Sequence, residues 1–218
     1  MKLSILILTH NRPLLFKRCI KSILDNLPQY DIEIIVNNDS NDITEVYKNN
    51  VNISYFYKKH KKLTDTYKFL FNKSCGDFVF FLEDDDYIKS NFFKFLDYNY
   101  DVNFLNYISK DIITNKQNIK VYYERFFKKF RNYKNINILS EFLKKYEHTD
   151  FQLSQIVFNR NGIKYWPRDD DINNDYKIFS SLQLKSILYI CKPVWIQTTD
   201  GLDNISFDKY NTDLRFKK

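Results

Sequence analysis

Four consecutive carboxylates, Glu83-Asp84-Asp85-Asp86, follow directly on five apolar residues in the run FVFFLEDDDYI. An apolar run favours burial, whereas adjacent like charges favour water and repel one another. Two kinds of chemistry fit such a junction: a solvated acidic turn, or a site whose oxygens hold a cation. Polar clusters also close two other apolar runs. Thr9-His10-Asn11-Arg12 follows residues 3–8, and Asn37-Asn38-Asp39-Ser40-Asn41-Asp42 follows residues 31–36.

The elements that must position these clusters alternate. Residues 3–8 read as a fully buried strand. Pro13 fits the first turn of a helix on which Leu14, Leu15, Cys19, Ile20, Ile23 and Leu24 recur at helical spacing. DIEIIV is a second strand, and the cluster after it suits a turn leading into a helix cap. Residues 53–57 form a third strand, residues 63–72 a helix that Gly76 ends, and residues 78–82 a fourth strand. Such alternation predicts a parallel sheet in an α/β fold, whose ligands bind outside the carboxyl ends of the strands. The three polar clusters then share one sheet edge, which favours the cation site over the solvated turn. The second half is less regular. It predicts helices at 140–146 and 175–188, a strand at 155–159, and another at 186–190 or 194–197.

Composition narrows the classes. With 218 residues, 44% hydrophobic and 18% aromatic, the chain can build a full core and is most simply one domain. Three glycines are too few for a GxGxxG dinucleotide loop or a P-loop. A formal charge of +7 favours anionic partners. Two stretches stand out for this, KKHKK at 58–62 and FFKKFRNYK at 126–134, the second interleaving rings with cations. Cys19, Cys75 and Cys191 match no zinc spacing or disulfide framework. No run approaches a membrane span, and residues 3–8 are too short for the core of a signal peptide. The expectation is a soluble protein in the cytoplasm of a bacterium or of a phage-infected host cell.

Three segments carry a family resemblance, in order. LSILILTHNRPLLFKRCIKSIL resembles the opening of family-2-type glycosyltransferases of the GT-A fold. DIEIIVNNDSNDIT resembles their second strand and its acidic turn, and GDFVFFLEDDDYI resembles the segment carrying their DXD motif. The resemblance implies a single α/β domain with a Rossmann-like, mostly parallel sheet flanked by helices. Residues 1–97 would bind the nucleotide sugar and residues 98–218 the acceptor.

It also implies metal-dependent, inverting transfer of a sugar from a nucleoside-diphosphate sugar to an acceptor hydroxyl. Mn²⁺ or Mg²⁺ would offset charge on the diphosphate. By analogy Asp86 is the first metal ligand, and Asp84 or Asp85 is a second ligand or a ribose contact. Glu83 is the most dispensable of the four. Thr9, His10 and Arg12 fall where the family's first loop meets the nucleotide: His10 could stack on a base, and Arg12 could pair with phosphate or acid. Asn38 and Asp39 fall in the base-recognition loop, where Asn37 and Asn38 replace the acids common in relatives. Tyr67-Lys68 replaces an Arg-Asn pair, and Lys68 could reach a phosphate. IVFNRNGIKYWPRDDDINNDYKIFSSL resembles the acceptor segment, with Asp175 as general base, Asp169, Asp170 and Asp171 as rivals, and a helix cap as the plainer role. Residues 197–206 resemble a C-terminal active-site loop. The acceptor could be duplex DNA bearing a hydroxymethylated base or a surface glycan. The acid-to-asparagine departures leave a second class open, a GT-A-like nucleotide-binding protein without transferase activity.

Overall fold

The computed structural model describes residues 1–40, 50, 52–60, 62–111, 114–119, 132–133, 152–166, 174–183 and 185–199. The helix expected at 140–146, the one expected after residue 42, and most of the basic stretch at 126–134 lie outside these residues.

The first half follows the expected alternation: β1 (Lys2–Thr9), α1 (Pro13–Leu24), β2 (Asp31–Asn38), β3 (Ile53–Tyr57), α2 (Leu63–Lys73) and β4 (Phe78–Glu83). β1 pairs in parallel with β2 and β4, and β2 with β3. The period-two alternation of side chains divides β1 between two cores. Leu3, Ile5 and Ile7 meet Phe16, Cys19, Ile20 and Ile23 of α1 on one face. Leu6 joins Ile35, Val79 and Phe81 on the other face, against Tyr67, Leu70 and Phe71 of α2. Burial on both faces explains why these strands read as continuous apolar runs.

After the acids come β5 (Tyr87–Ile88), the short α3 (Phe92–Phe95), β6 (Val102–Asp111), β7 (Gln117–Ile119), β8 (Asn132–Tyr133), β9 (Ile156–Asn159), α4 (Asn174–Ser180) and β10 (Ile187–Thr199). The sheet runs β3-β2-β1-β4-β9-β6-β10-β5, with β7 on β6 and β8 on β10. β9 is antiparallel to both β4 and β6, so the second half makes the sheet mixed.

Three expectations change here. Residues 186–190 and 194–197 are not alternatives but parts of one strand, β10, whose register shifts around Pro193; a proline cannot donate to the ladder and is tolerated at such an irregularity. The helix expected over 175–188 stops at Ser180. There Ser180 and Ser181 hydroxyls donate back to the Lys177 and Ile178 carbonyls, competing with continued helix. The ten-residue β6 was not expected at all.

Gly76 closes the end of the sheet opposite the acids. Its N–H donates to Ser4 Oγ and to Glu33 Oε1. A Cβ there would collide with Ser4 Oγ and lie 2.7 Å from Ser4 N and 2.9 Å from Lys2 O. Gly76→Ala should therefore destabilise the protein by about 3 kcal/mol, lowering the thermal midpoint by roughly 6–12 °C. An unchanged midpoint in a melting experiment would contradict this packing.

Candidate active site

In a sheet ordered β3-β2-β1-β4, the chain leaves β1 in one direction and returns on its other side. The crevice at the carboxyl ends of β1 and β4 is thus a topological switch point, where α/β sheets bind ligands. Thr9 ends β1 and Glu83 ends β4.

The acids do not continue the strand. Asp86 N–H donates to the Glu83 carbonyl at 3.1 Å, closing a β-turn between β4 and β5. On a turn alternate residues no longer share a face, so the expected grouping of Asp84 with Asp86 gives way to another. Glu83, Asp85 and Asp86 each bring a carboxylate oxygen within 4.8 Å of the others. Asp84 turns instead to the first loop, where it accepts from Arg12 Nη1 at 3.1 Å and from His10 N–H at 3.3 Å. Arg12 Nη1 also reaches Asp85 Oδ2 at 3.2 Å.

The turn is braced from both sides. Arg18, on α1, donates to the Asp85 carbonyl and lies 4.6 Å from the centre of the Tyr87 ring. Thr198, at the end of β10, donates its hydroxyl to the same carbonyl and its N–H to Asp86 Oδ1 at 2.9 Å. Neither residue was singled out for this role from the sequence. Thr198 falls in the stretch that resembles a C-terminal active-site loop, most of which lies outside the described residues.

Asp84, Asp85 and Asp86 are all at most 4% exposed. Burial pushes the Glu83 and Asp86 carboxyls well up, and the charge of Asp85 adds to the effect on both. Asp84 is pushed up to about 6 by burial, with Arg12 opposing. Asp85 Oδ1 is buried with no hydrogen-bond partner among the described residues. Three converging carboxylates, mutually repelling and with one buried oxygen unmatched, fit a hard divalent cation held by oxygen ligands.

Asp175, on α4, arrives from the second half of the chain. Its carboxylate accepts from Leu153 N–H at 3.1 Å, a residue of another segment rather than of its own helix. The residue keeps a partly exposed surface, yet burial of its carboxyl pushes it up to about 6. Leu153 packs in the same core cluster as Tyr67 and Phe81, so Asp175 is held on the side of the sheet where α2 covers β4. The rivals Asp169, Asp170 and Asp171 lie outside the described residues.

The remaining expected residues divide. Thr9 is buried, and its side chain helps hold Asp84. His10 is exposed, with Nδ1 2.6 Å from Asp39 Oδ1. Asn38 Oδ1 accepts from Ser40 N–H at 2.9 Å and shapes the loop. Asn37 Nδ2 donates to the Lys58 carbonyl at 2.9 Å, and its Oδ1 is buried without a partner among the described residues. Lys68 lies on the exposed face of α2; its neighbour Tyr67 is buried against Phe81 of β4. Beside them Trp166, partly buried, packs edge-on against Phe71, 5.2 Å between ring centres.

Residues 4–191 match the family model described as glycosyl transferase family 2. Among solved structures, S. aureus TarS 1–349 superposes with a TM-score of 0.68 at 18% identity, covering 91% of this chain and 60% of that one. The same segment in complex with UDP-GlcNAc gives 0.68 at 18% identity, with 94% and 61% covered. Its complex with UDP gives 0.64 at 16% identity, with 92% and 61% covered. The chain therefore spans about three fifths of that TarS segment, and the shared fold is the GT-A arrangement expected from the sequence. A search of curated proteins returns no match.

Proposed function

The chain belongs to glycosyl transferase family 2, and on that footing we propose that it transfers a sugar from a nucleoside-diphosphate sugar to an acceptor hydroxyl, with inversion at the sugar. The observation that carries this reading is the convergence of the Glu83, Asp85 and Asp86 carboxylates, with Arg12 on Asp84 and Asp85, at the switch point between β1 and β4.

Glu83, Asp85 and Asp86 would hold a divalent cation, Mn²⁺ or Mg²⁺. When bound, that ion supplies positive charge to the departing diphosphate. This assignment gives Glu83 a part that the sequence did not suggest and leaves Asp84 with Arg12. Arg12, fixed by Asp84 and Asp85, lines the path of the phosphates. His10, steadied by Asp39, offers a flat ring for the base, and the unmatched Asn37 Oδ1 is an acceptor for a base N–H. Asp175 takes the acceptor hydroxyl's proton as the acceptor oxygen bonds to the anomeric carbon. The bond from that carbon to the phosphate oxygen breaks, and the nucleoside diphosphate leaves. An approach opposite the leaving group inverts the centre.

The direct test is release of nucleoside diphosphate from a panel of nucleotide sugars with Mn²⁺ present. Slow hydrolysis of one donor without acceptor supports an active site. No hydrolysis of any donor would leave the alternative, nucleotide binding without transfer.

For the acceptor, charge is informative. Residues 53–73 hold six lysines against one acid, Asp65. Lys58, Lys59, Lys62, Lys68 and Lys73 are exposed there, on and beside α2, and the Asn37–Lys58 hydrogen bond ties this surface to the donor loop. It suits an anionic acceptor such as DNA or an anionic surface glycan. Changing Lys58, Lys59 and Lys68 to Ser should weaken duplex-DNA binding and flatten its log–log salt dependence by about 2 to 3. Absence of duplex binding at low salt would remove DNA and leave the glycan.

A further inference from the structure

One buried polar group beside the acids has no task in the mechanism above. Tyr67, on α2, is 7% exposed, and its ring packs edge-on against Phe81 with centres 5.2 Å apart. Phe81 and Glu83 are two residues apart on β4 and share a face. Tyr67 also shares a core cluster with Leu153, whose N–H holds Asp175, and with Ile178 and Phe179, one helical turn beyond Asp175 on α4. Helix α2, strand β4 and helix α4 thus bring Tyr67, Glu83 and Asp175 around one point.

The Tyr67 hydroxyl is not one of the fully buried, unpartnered polar atoms of the described residues. A phenol is protonated at neutral pH, so the hydroxyl is available as a donor. Asp175 marks the side from which the acceptor oxygen attacks, and Glu83 and Asp85 mark the diphosphate side. In the reading above, the group lying between those sides is the sugar in transit.

We infer that the Tyr67 hydroxyl contacts the sugar being transferred and helps select which sugar the site accepts. The inference rests on the transferase reading. A phenol both donates and accepts, which suits a sugar hydroxyl; a carboxylate here would only accept, and a lysine would only donate.

The experiment compares two ligands on the wild type and on Tyr67→Phe, which keeps the ring and its packing. Titration calorimetry with Mn²⁺ would use the nucleoside diphosphate and the nucleotide sugar of the best-binding pair in a panel. The expected result is a loss of roughly tenfold in affinity for the nucleotide sugar with none for the nucleoside diphosphate, the scale of one hydrogen bond to a buried group. A donor lacking the contacted sugar hydroxyl should lose a similar factor on the wild type and little more on Tyr67→Phe. Equal losses for both ligands, or no loss for either, would overturn the sugar contact while leaving the transferase reading intact. A wild type that binds neither ligand would overturn both.

Discussion

Asp86→Asn is expected to cut release of nucleoside diphosphate from the donor by about a thousandfold, the scale of several kcal/mol of leaving-group stabilisation. The substitution is chosen because Thr198 N–H donates to Asp86 Oδ1, and an asparagine oxygen can still accept that bond. Charge is lost while the brace from β10 is kept. Without added metal the variant should melt at or above the wild-type temperature, because one of three crowded, buried carboxylates no longer opposes the others. Added Mn²⁺ should raise the wild-type midpoint and leave that of the variant where it was. Asp86→Ala should lose activity equally but melt lower, since it strands the Thr198 N–H. If Asp86→Asn hydrolyses donor at the wild-type rate, the acidic turn is structural only.

Asp175→Asn should lower transfer by about a thousandfold while leaving nucleotide binding in place, as removal of a general base does. The asparagine can still accept from Leu153 N–H, so the turn that seats α4 is kept. A base acts as the carboxylate. With Asp175 pushed up to about 6, transfer should be level above that pH and fall about tenfold for each pH unit below it. A carboxyl at its ordinary value of about 3.9 would leave the rate flat to near pH 4. Asp84 is also pushed to about 6, so the variant decides the assignment. Its residual rate should lose the acidic limb. A limb that survives in Asp175→Asn would move the titrating group to Asp84 or beyond.

The parallel half of the fold was legible because burial on both sheet faces leaves continuous apolar strings such as LSILIL and FVFFL, with polar residues collected at their ends. β6 was not legible because Asn103 and Asn106 interrupt its pattern. Both are buried and satisfy backbone groups, one six residues away and the other across the sheet. Asn103 Nδ2 donates to the Asp97 carbonyl and its Oδ1 accepts from Asp97 N–H. Asn106 Nδ2 donates to the Cys191 carbonyl, beside the irregularity in β10. A sequence read in isolation shows two polar interruptions, not the backbone groups they satisfy.

The candidate site was legible by residue type and less so by grouping. The acidic run, Arg12 and Asp175 were all singled out; the fold joins Arg12 to Asp84 and Asp85, and it seats Asp175 on Leu153 N–H. The pairing of Asp84 with Asp86 presumed strand geometry, and the Glu83–Asp86 turn regroups the carboxylates. Arg18 and Thr198 could not be read as braces, because each works through contacts across the chain, 67 and 113 residues away from Asp85. Tyr67 was hidden by its neighbour: in Tyr67-Lys68 the lysine carries the charge that draws attention, but helical phase turns it outward.

A β4–β5 turn that holds a cation against the donor diphosphate makes nucleotide binding depend on that cation. Calorimetric titration of the wild-type protein with its nucleoside diphosphate, with Mn²⁺ and then with EDTA, tests this most directly. Binding that requires the cation and is lost on chelation is the predicted result. Equal affinity with and without the cation would mean that the turn holds no cation at the diphosphate.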